Sequence, residues 1–441
     1  MILYMNFYTL FSNLLHLSNI KMVIPGIFLL TLLSLMIYKG DITLKRDSVA
    51  SCGFWILFLV YQIVCIKLKE DNGLLMFRQT MYFLIWFNLA QLKKWHNKVI
   101  NLLSSVCFIN TIATFVFLVI PSLYKIMIKI YGRSVSGTSG GRTGYRAALA
   151  DHYSQNAVFI SMAVLSIGCI LLILLFNSKK EKPKFVRYGA LFLLSVVALL
   201  LTSKRGPLLF CGVALVAVYF ISEKKHLIKK IVIFCIICAT AVACFYLLAR
   251  YIPELTYTIE RFTNSGQDES TKERMQMWKL AKKMFKENPL FGNGTYSYRL
   301  EYSNYFGNRF QSLGNEDYQK FLNTHNVFLQ VLAENGIVGF LLFLLAYLQM
   351  LFGSIRTYLV VREVENDYRI CATQLFSVAV QIYFLFYCIT GNPMYDIFYA
   401  YYCCGIAINL VLLQQYGVFM QMGRKKRAAI SKVMSAIGRE G

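Results

Sequence analysis

Apolar runs long enough to cross a lipid bilayer recur along this chain, and they constrain its fold more than any other feature. Clear examples are Met22–Tyr38, Phe185–Leu201 and Ile231–Leu248. A crossing needs about 20 mostly apolar residues, and backbone groups inside lipid must bond to each other, which favours helices. Of the 441 residues, 57% are hydrophobic and only 15% are charged, whereas soluble domains carry about 25% charged residues. The sequence therefore predicts an all-α, polytopic membrane protein.

About twelve transmembrane helices follow from these runs, although polar residues interrupt the first of them. An eleven-helix chain would keep the same sidedness and move only the N-terminus to the other side. Met1–Leu17 lacks a basic start and a small-residue cleavage site, so we interpret it as a retained helix and not as a signal peptide. In residue numbers, the candidate spans are 2–18, 22–38, 50–66, 74–92, 99–121, 156–176, 186–203, 206–222, 229–250, 336–355, 371–390 and 396–416.

Lysine and arginine occur in clusters between the spans, and consecutive clusters are separated by two spans. Because positively charged short loops stay in the cytoplasm, this regular spacing places every cluster on the cytoplasmic side. The same clusters account for most of the net charge of +24, and no compact basic domain is present that would hold a nucleic acid. The clusters lie within residues 39–46, 93–98, 179–187, 224–230, 356–369 and 423–427.

The opposite loops are then extracytoplasmic, and the largest of them, between spans 9 and 10, is partly helical in our prediction. We expect spans 1–9 to form a transmembrane bundle over residues 1–251, followed by this loop over 252–325. Spans 10–12 would occupy 326–422, and a basic cytoplasmic tail would occupy 423–441.

The helix predicted inside the large loop is amphipathic. Ser270 and Glu273 fit the two partners of a capping box, and Pro289 would end the helix. Its apolar face would be buried either in the membrane surface or against the transmembrane bundle. The apolar residues that recur at helical spacing are Met275, Trp278, Ala281 and Phe285.

Three basic residues at the outer ends of the spans are suited to chemistry. Arg205 lies at the mouth of two spans, where arginine is costly unless it meets an anion or reaches water. Arg274 lies in the first turns of the loop helix, where a solvated charge is also common. His325 lies where the loop re-enters the membrane, and its imidazole either accepts a proton from a hydroxyl or has a structural role.

Motifs of metal and nucleotide chemistry do not occur in the sequence. The twelve cysteines lie almost entirely in apolar runs, and none lies within residues 251–325. Neither a phosphate-binding loop nor a zinc-protease or nucleophile-elbow motif is present. We therefore expect neither a metal ion nor another cofactor.

Five segments, taken in their order and spacing, resemble the O-antigen ligase/polymerase superfamily of bacterial envelope enzymes. They are Ser203–Gly206, Arg261–Asn264, Glu273–Trp278, Asn288–Gly294 and His325–Gly339. The resemblance implies a metal-independent glycosyltransferase in the bacterial cytoplasmic membrane, with its active site facing the periplasm or the cell exterior. The donor would be an oligosaccharide on undecaprenyl diphosphate.

The resemblance also implies roles for individual residues. Arg205 and Arg274 would stabilise the departing diphosphate, since arginine binds phosphate in a bidentate way. His325 would be the general base for the acceptor hydroxyl. The aromatic residues of the loop suit sugar faces and the lipid interface alike. The residues expected to bind substrate are Arg142, Arg146, Trp278, Tyr296, Tyr298 and Asn326.

The leading hypothesis is a polymerase that joins lipid-linked repeat units into O-antigen, capsular polysaccharide or exopolysaccharide. The main alternative is an O-antigen ligase, which would transfer the finished glycan to lipid A-core or another acceptor. A flippase for lipid-linked glycans is a third interpretation, which the long outer loop disfavours. The expected partners are the lipid-linked oligosaccharide and membrane lipid, and the candidate protein partners are a chain-length regulator and a flippase.

Overall fold

The computed structural model of this chain is a bundle of helices. It describes residues 1–14, 20–38, 46–66, 72–92, 95–131, 149, 153–176, 182–202, 204–222, 269–302 and 323–420, with isolated positions between 228 and 250. Before the large loop lie α1 (Ile2–Leu14), α2 (Ile20–Tyr38), α3 (Arg46–Ser51), α4 (Gly53–Val64), α5 (Asn72–Leu89), α6 (His96–Val119), α7 (Pro121–Tyr131), α8 (Tyr153–Phe176), α9 (Lys182–Leu201) and α10 (Arg205–Ser222). The loop contains α11 (Glu269–Glu287), and α12 (Val327–Val364), α13 (Tyr368–Thr390) and α14 (Phe398–Met420) follow it. A 3-10 turn, Pro393–Tyr395, connects α13 to α14.

The prediction of an all-α membrane protein is confirmed. Six of the described helices are long and apolar enough to cross a membrane, and each overlaps a predicted span. Two shorter apolar helices, Val23–Tyr38 and Gly53–Val64, coincide with the second and third predicted spans. The twelve-helix count, the domain limits and the sidedness stay predictions. The six long helices are His96–Val119, Gln155–Leu175, Lys182–Leu201, Arg205–Ser222, Val327–Val364 and Tyr368–Thr390.

Helix α13 lies at the centre of the bundle, because α6, α8, α10, α12 and α14 all contact it. Its residues 370–384 are buried on every side. Polar side chains on this helix bond to neighbouring helices: Gln381 Nε2 donates to Ser354 Oγ at 2.6 Å, and Ser377 Oγ donates to the Gly405 carbonyl at 2.7 Å. Such bonds satisfy polar groups where water is absent, so they join the helices that carry the site.

Helix α12 changes direction at Gly336, where φ is 63° and ψ is −167°. Glycine adopts a positive φ without steric conflict, whereas other residues seldom do. The residues from Val327 to Asn335 therefore form a short helix of their own, and the following residues form the long apolar segment. The kink coincides with the start of the predicted span 336–355.

Helix α11 packs on the transmembrane bundle, which is one of the two alternatives left open by its sequence. It contacts α12 and ends at Glu287, two residues before Pro289. It begins at Glu269, one residue before the predicted N-cap, an offset within the usual uncertainty of helix ends. The predicted apolar face is wrong at Met275, which is 52% exposed. Methionines occur on two offset stripes of this helix, and the buried stripe consists of Met277, Leu280, Ala281 and Met284.

Candidate active site

The turn before α12 holds His325 in an unusual backbone conformation. His325 has a φ of 52°, which residues other than glycine seldom adopt. Thr324 Oγ1 accepts the Asn326 amide N–H at 3.0 Å and donates its own proton to the Asn326 carbonyl at 2.5 Å. The Asn326 side chain caps α12 by accepting the Leu329 amide N–H at 3.0 Å. Backbone strain of this kind is typical of functional sites, and here the turn's own polar side chains maintain it.

Two positive charges lie near His325. Burial, the Arg274 guanidinium and the Lys204 ammonium together lower the pKa of His325 to about 4. The imidazole is therefore neutral at neutral pH and has a free nitrogen for a proton, although the same shift makes it a weaker base than an ordinary histidine. Arg205 follows Lys204 directly and is half-buried at the first residue of α10. The structure thus brings together the start of α10, helix α11 and the turn before α12, which are distant in the sequence. Lys204 belongs to this group, although the sequence did not indicate it as a site residue.

Trp278 joins α11 to the turn that carries His325. Its ring is half-buried, and its Nε1 donates to the Thr324 carbonyl at 3.0 Å. Arg274 lies one turn earlier on the same helix, so this bond also positions Arg274 relative to the imidazole. Trp278 therefore has a clear role in holding the site together, whether or not it also contacts a substrate.

Tyr296 and Tyr298 lie in the interior. Both are fully buried. The Tyr296 hydroxyl donates to Gln79 Oε1 at 2.9 Å, and the Tyr298 hydroxyl donates to the Met277 carbonyl at 3.0 Å. The substrate contact that the sequence predicts for both residues stays a prediction. In this structure the two tyrosines hold the loop against the bundle, because their hydroxyls find partners there and not in solvent.

A buried carboxylate, Glu334, lies behind the site. Its side chain is 0% exposed. Gln330 Nε2 donates to Glu334 Oε1 at 3.0 Å, and the Tyr395 hydroxyl donates to Glu334 Oε2 at 3.1 Å. The backbone amides of Tyr296 and Tyr298 also donate to this carboxylate. An acidic residue within an apolar stretch is the signal that could have identified this group from the sequence.

The carboxylate sets the direction of a hydrogen-bond chain that ends on His325. The amide nitrogen of Gln330 faces Glu334 Oε1, so the Gln330 Oε1 faces away from this carboxyl group. That Oε1 accepts the Thr324 amide N–H at 3.3 Å. The Asn392 amide nitrogen donates to the same Gln330 Oε1 at 3.3 Å. In this orientation the Asn392 side-chain oxygen accepts the His325 backbone N–H at 3.0 Å. The position of His325 therefore depends on α12 and on the connection between α13 and α14.

The glycine-rich segment after α11 fits against the kink of α12. Gly292 has a φ of 73°, and a Cβ at this position would lie 2.4 Å from the Glu334 backbone. A Cβ on Gly336 would lie 2.3 Å from the Leu290 carbonyl oxygen. Only glycine allows the two backbones to approach so closely. The Gly294 amide N–H then donates to the Glu334 carbonyl at 2.8 Å, which joins loop and helix.

Two of the predicted substrate-binding residues, Arg142 and Arg146, lie outside the described residues. Within the part of the chain that the structure describes, no group of three or more His, Cys, Asp and Glu side chains is arranged to hold a metal ion. The assembled residues offer a neutral base, His325, beside the cations of Arg274 and Lys204. A base next to fixed positive charge suits a reaction in which a hydroxyl loses its proton while an anion departs.

Comparison with protein families identifies the segment that contains these residues. Residues 189–344 match the family model described as O-antigen ligase. The match runs from α9 to the middle of α12 and includes Arg205, Arg274, His325 and Glu334. No curated protein matches the chain. Members of the matched family are O-antigen ligases or polymerases, which transfer glycosyl groups. The match therefore supports the O-antigen ligase/polymerase superfamily for residues 189–344, a segment that overlaps three of the apolar helices long enough to cross a membrane.

Proposed function

We propose that this protein polymerises undecaprenyl-diphosphate-linked repeat units into a long polysaccharide at the outer face of the cytoplasmic membrane. The observation that carries the proposal is the meeting of a neutral His325 with Arg274 and Lys204, beside Arg205, inside the O-antigen ligase segment. Transfer from a diphosphate needs a base for the acceptor and positive charge for the leaving group. Both components are present in one place.

In the proposed reaction one bond to the anomeric carbon replaces another. The acceptor hydroxyl oxygen attacks the anomeric carbon of the donor glycan, and its proton passes to the imidazole of His325. The bond between that carbon and the diphosphate oxygen breaks, and the lipid diphosphate leaves as an anion beside Arg205 and Arg274. Preorganised cations stabilise the charge that develops on the leaving oxygen. The products are a glycan longer by one repeat unit and free lipid diphosphate, and the reaction as proposed requires no metal ion.

The test uses purified protein in lipid nanodiscs, supplied only with lipid-linked repeat units. Wild-type protein should produce a ladder of longer lipid-linked chains. His325→Ala and Arg274→Ala should lower the rate by at least about 10²-fold, since a positioned base is worth about 10²–10⁴-fold. Lys286→Ala is the matched control, because Lys286 is an exposed cation at the other end of α11. A wild-type ladder from either site variant would refute the role of that residue.

A ligase is the second candidate, and the description of the matching family model as O-antigen ligase favours it. The same nanodisc assay separates the two reactions. A ligase would form no product from lipid-linked repeat units alone, but would transfer glycan once lipid A-core or another acceptor is added. Elongation without such an acceptor would identify the polymerase. Movement of the lipid-linked glycan across the bilayer without a new glycosidic bond would indicate a flippase.

A further inference from the structure

Arg78 and Asp396 are two half-buried charged residues that meet near the site. Arg78 lies in the second turn of α5, and its Nη2 donates to the Tyr395 carbonyl at 2.7 Å. Asp396 is the next residue of the chain, so the guanidinium and the carboxylate are neighbours. They nevertheless form no ion pair with each other, although other charged side chains of the described residues do. The connection from α13 to α14 that carries Asp396 also carries Asn392, which accepts the His325 backbone N–H.

The guanidinium of Arg78 offers more donors than the surrounding protein uses. It has five N–H donors, and its hydrogen bond to a described residue is the one to Tyr395. The 3-10 turn does not need the positive charge of Arg78 to stay in place, because the neutral amide of Gln79 already donates to the Met394 carbonyl at 2.6 Å. A half-buried cation at a membrane boundary is destabilising unless its donors meet partners. The remaining donors of Arg78 therefore suit a polar ligand.

The carboxylate of Asp396 accepts two hydrogen bonds from the protein and has lone pairs for more. Its Oδ2 accepts the Tyr387 hydroxyl at 3.1 Å, and its Oδ1 accepts a backbone amide of the same connection at 2.6 Å. Burial raises the pKa of Asp396, and the nearby Arg78 opposes this. The Tyr387 ring stacks on Phe210 of α10 with 5.8 Å between ring centres. Since α10 begins at Arg205, this stacking joins Asp396 to the helix that carries one of the proposed leaving-group arginines.

The chemistry of the two side chains selects a class of ligand. A guanidinium only donates and a carboxylate only accepts, so a group between them must accept from one and donate to the other. A hydroxyl does both, whereas a phosphate would be repelled by the carboxylate. Resting on the proposed function, we infer that Arg78 and Asp396 bind hydroxyl groups of the acceptor saccharide, whose attacking oxygen His325 deprotonates.

Direct binding separates this subsite from catalysis. The probe is the repeat-unit oligosaccharide released by mild acid from the cell's own lipid-linked pool, which carries neither lipid nor diphosphate. Its Kd is measured on the full chain in nanodiscs by saturation-transfer NMR. His325→Ala should bind the probe as wild type does, because the base is not the binding group. Arg78→Gln and Asp396→Asn should bind it at least tenfold more weakly.

Control variants separate binding from folding. Arg369→Gln breaks an exposed ion pair of 2.7 Å to Asp367 at the opposite end of α13, so it should leave the Kd unchanged. Arg78→Lys keeps the charge and one donor for the 3-10 turn, and should weaken binding less than Arg78→Gln. If Arg78→Gln does not yield a monodisperse protein, Tyr387→Phe tests the subsite instead. This variant removes a hydrogen-bond partner of the Asp396 carboxylate and leaves α5 unchanged. We expect a two- to fivefold weaker Kd from that variant.

Two results would overturn the inference: wild-type protein that does not bind the probe, and unchanged binding by folded Arg78→Gln and Asp396→Asn. A different result would refute the proposed function alone. In that result, wild-type protein would bind the probe and the variants would bind it more weakly, but no glycosidic bond would form with any donor and acceptor. The saccharide subsite would then be supported, and the transferase activity would be refuted.

Discussion

The pKa of His325 provides the most direct test of the candidate site, and it needs no enzymatic assay. The imidazole has a pKa of about 4 in the folded protein, against an ordinary value of about 6.5, which corresponds to about 3 kcal/mol favouring the neutral form. Burial is the largest cause, followed by the charges of Arg274 and Lys204. A unit charge within about 10 Å contributes on the order of 1 kcal/mol at the effective dielectric of a protein surface. Removing either cation should therefore raise the pKa of His325 by about 0.7.

The measurement is histidine-selective NMR on the protein in nanodiscs, titrated from pH 8 to about pH 2.5. The chain has five histidines, and the His325 resonance is identified by its loss in His325→Gln. Wild type should titrate near pH 4, Arg274→Gln and Lys204→Gln should titrate higher but below 6.5, and Lys286→Gln should match wild type. A wild-type midpoint at 6.5 would refute the burial of the imidazole. Unchanged midpoints in both Arg274→Gln and Lys204→Gln would refute the arrangement of charges.

The same value has a consequence for stability, with a definite sign. The pKa of His325 is lower in the folded than in the unfolded chain, so the unfolded chain takes up the proton first as the pH falls. The free energy of unfolding should therefore decrease as the pH falls from about 6.5 to about 4, by at most about 3 kcal/mol from this group. His325→Gln should remove that part of the pH dependence, which thermal unfolding at a series of pH values would show.

Three further substitutions test the packing around the site. Gly336→Ala places a Cβ 2.3 Å from a carbonyl oxygen at a φ of 63°, so it should lower the free energy of unfolding by about 2 kcal/mol or more. The control is Gly212→Ala, which should leave the free energy of unfolding unchanged because a Cβ there would meet nothing within 4 Å. Thermal unfolding measures both. Trp278→Phe removes the bond to Thr324 and should weaken the fold by about 1 kcal/mol, with polymer synthesis reduced several-fold in the nanodisc assay. Glu334→Gln keeps the size of the side chain but replaces one acceptor oxygen by an amide donor, which disturbs the hydrogen-bond chain to the turn that carries His325. The kcat should therefore fall by at least about tenfold while detergent-solubilised protein stays monodisperse, and wild-type kcat would contradict the role given to this carboxylate.

Much of the architecture could be predicted because hydropathy and helix-ending signals are local. The predicted spans 99–121, 156–176 and 371–390 overlap α6, α8 and α13. The helix before Pro289 ends as predicted, because a proline disfavours helical geometry at the residue that precedes it. Which stripe of α11 is buried could not be predicted, because two apolar stripes satisfy the same 3.6-residue period. Packing on α12 selected the stripe that contains Met277 and Met284.

The sequence by itself determined that this chain must lie in a membrane as helices, and the order of its motifs indicated Arg205, Arg274 and His325 as candidates. Only the tertiary structure decided which groups share a site. Arg78 bonds to a residue 317 positions away, and the Tyr296 hydroxyl bonds to Gln79, 217 positions away. Periodicity reports on one helix at a time, whereas burial, charge proximity and hydrogen-bond direction arise from several helices packed together. For that reason the lowered pKa of His325 is a property of the fold and not of its motif.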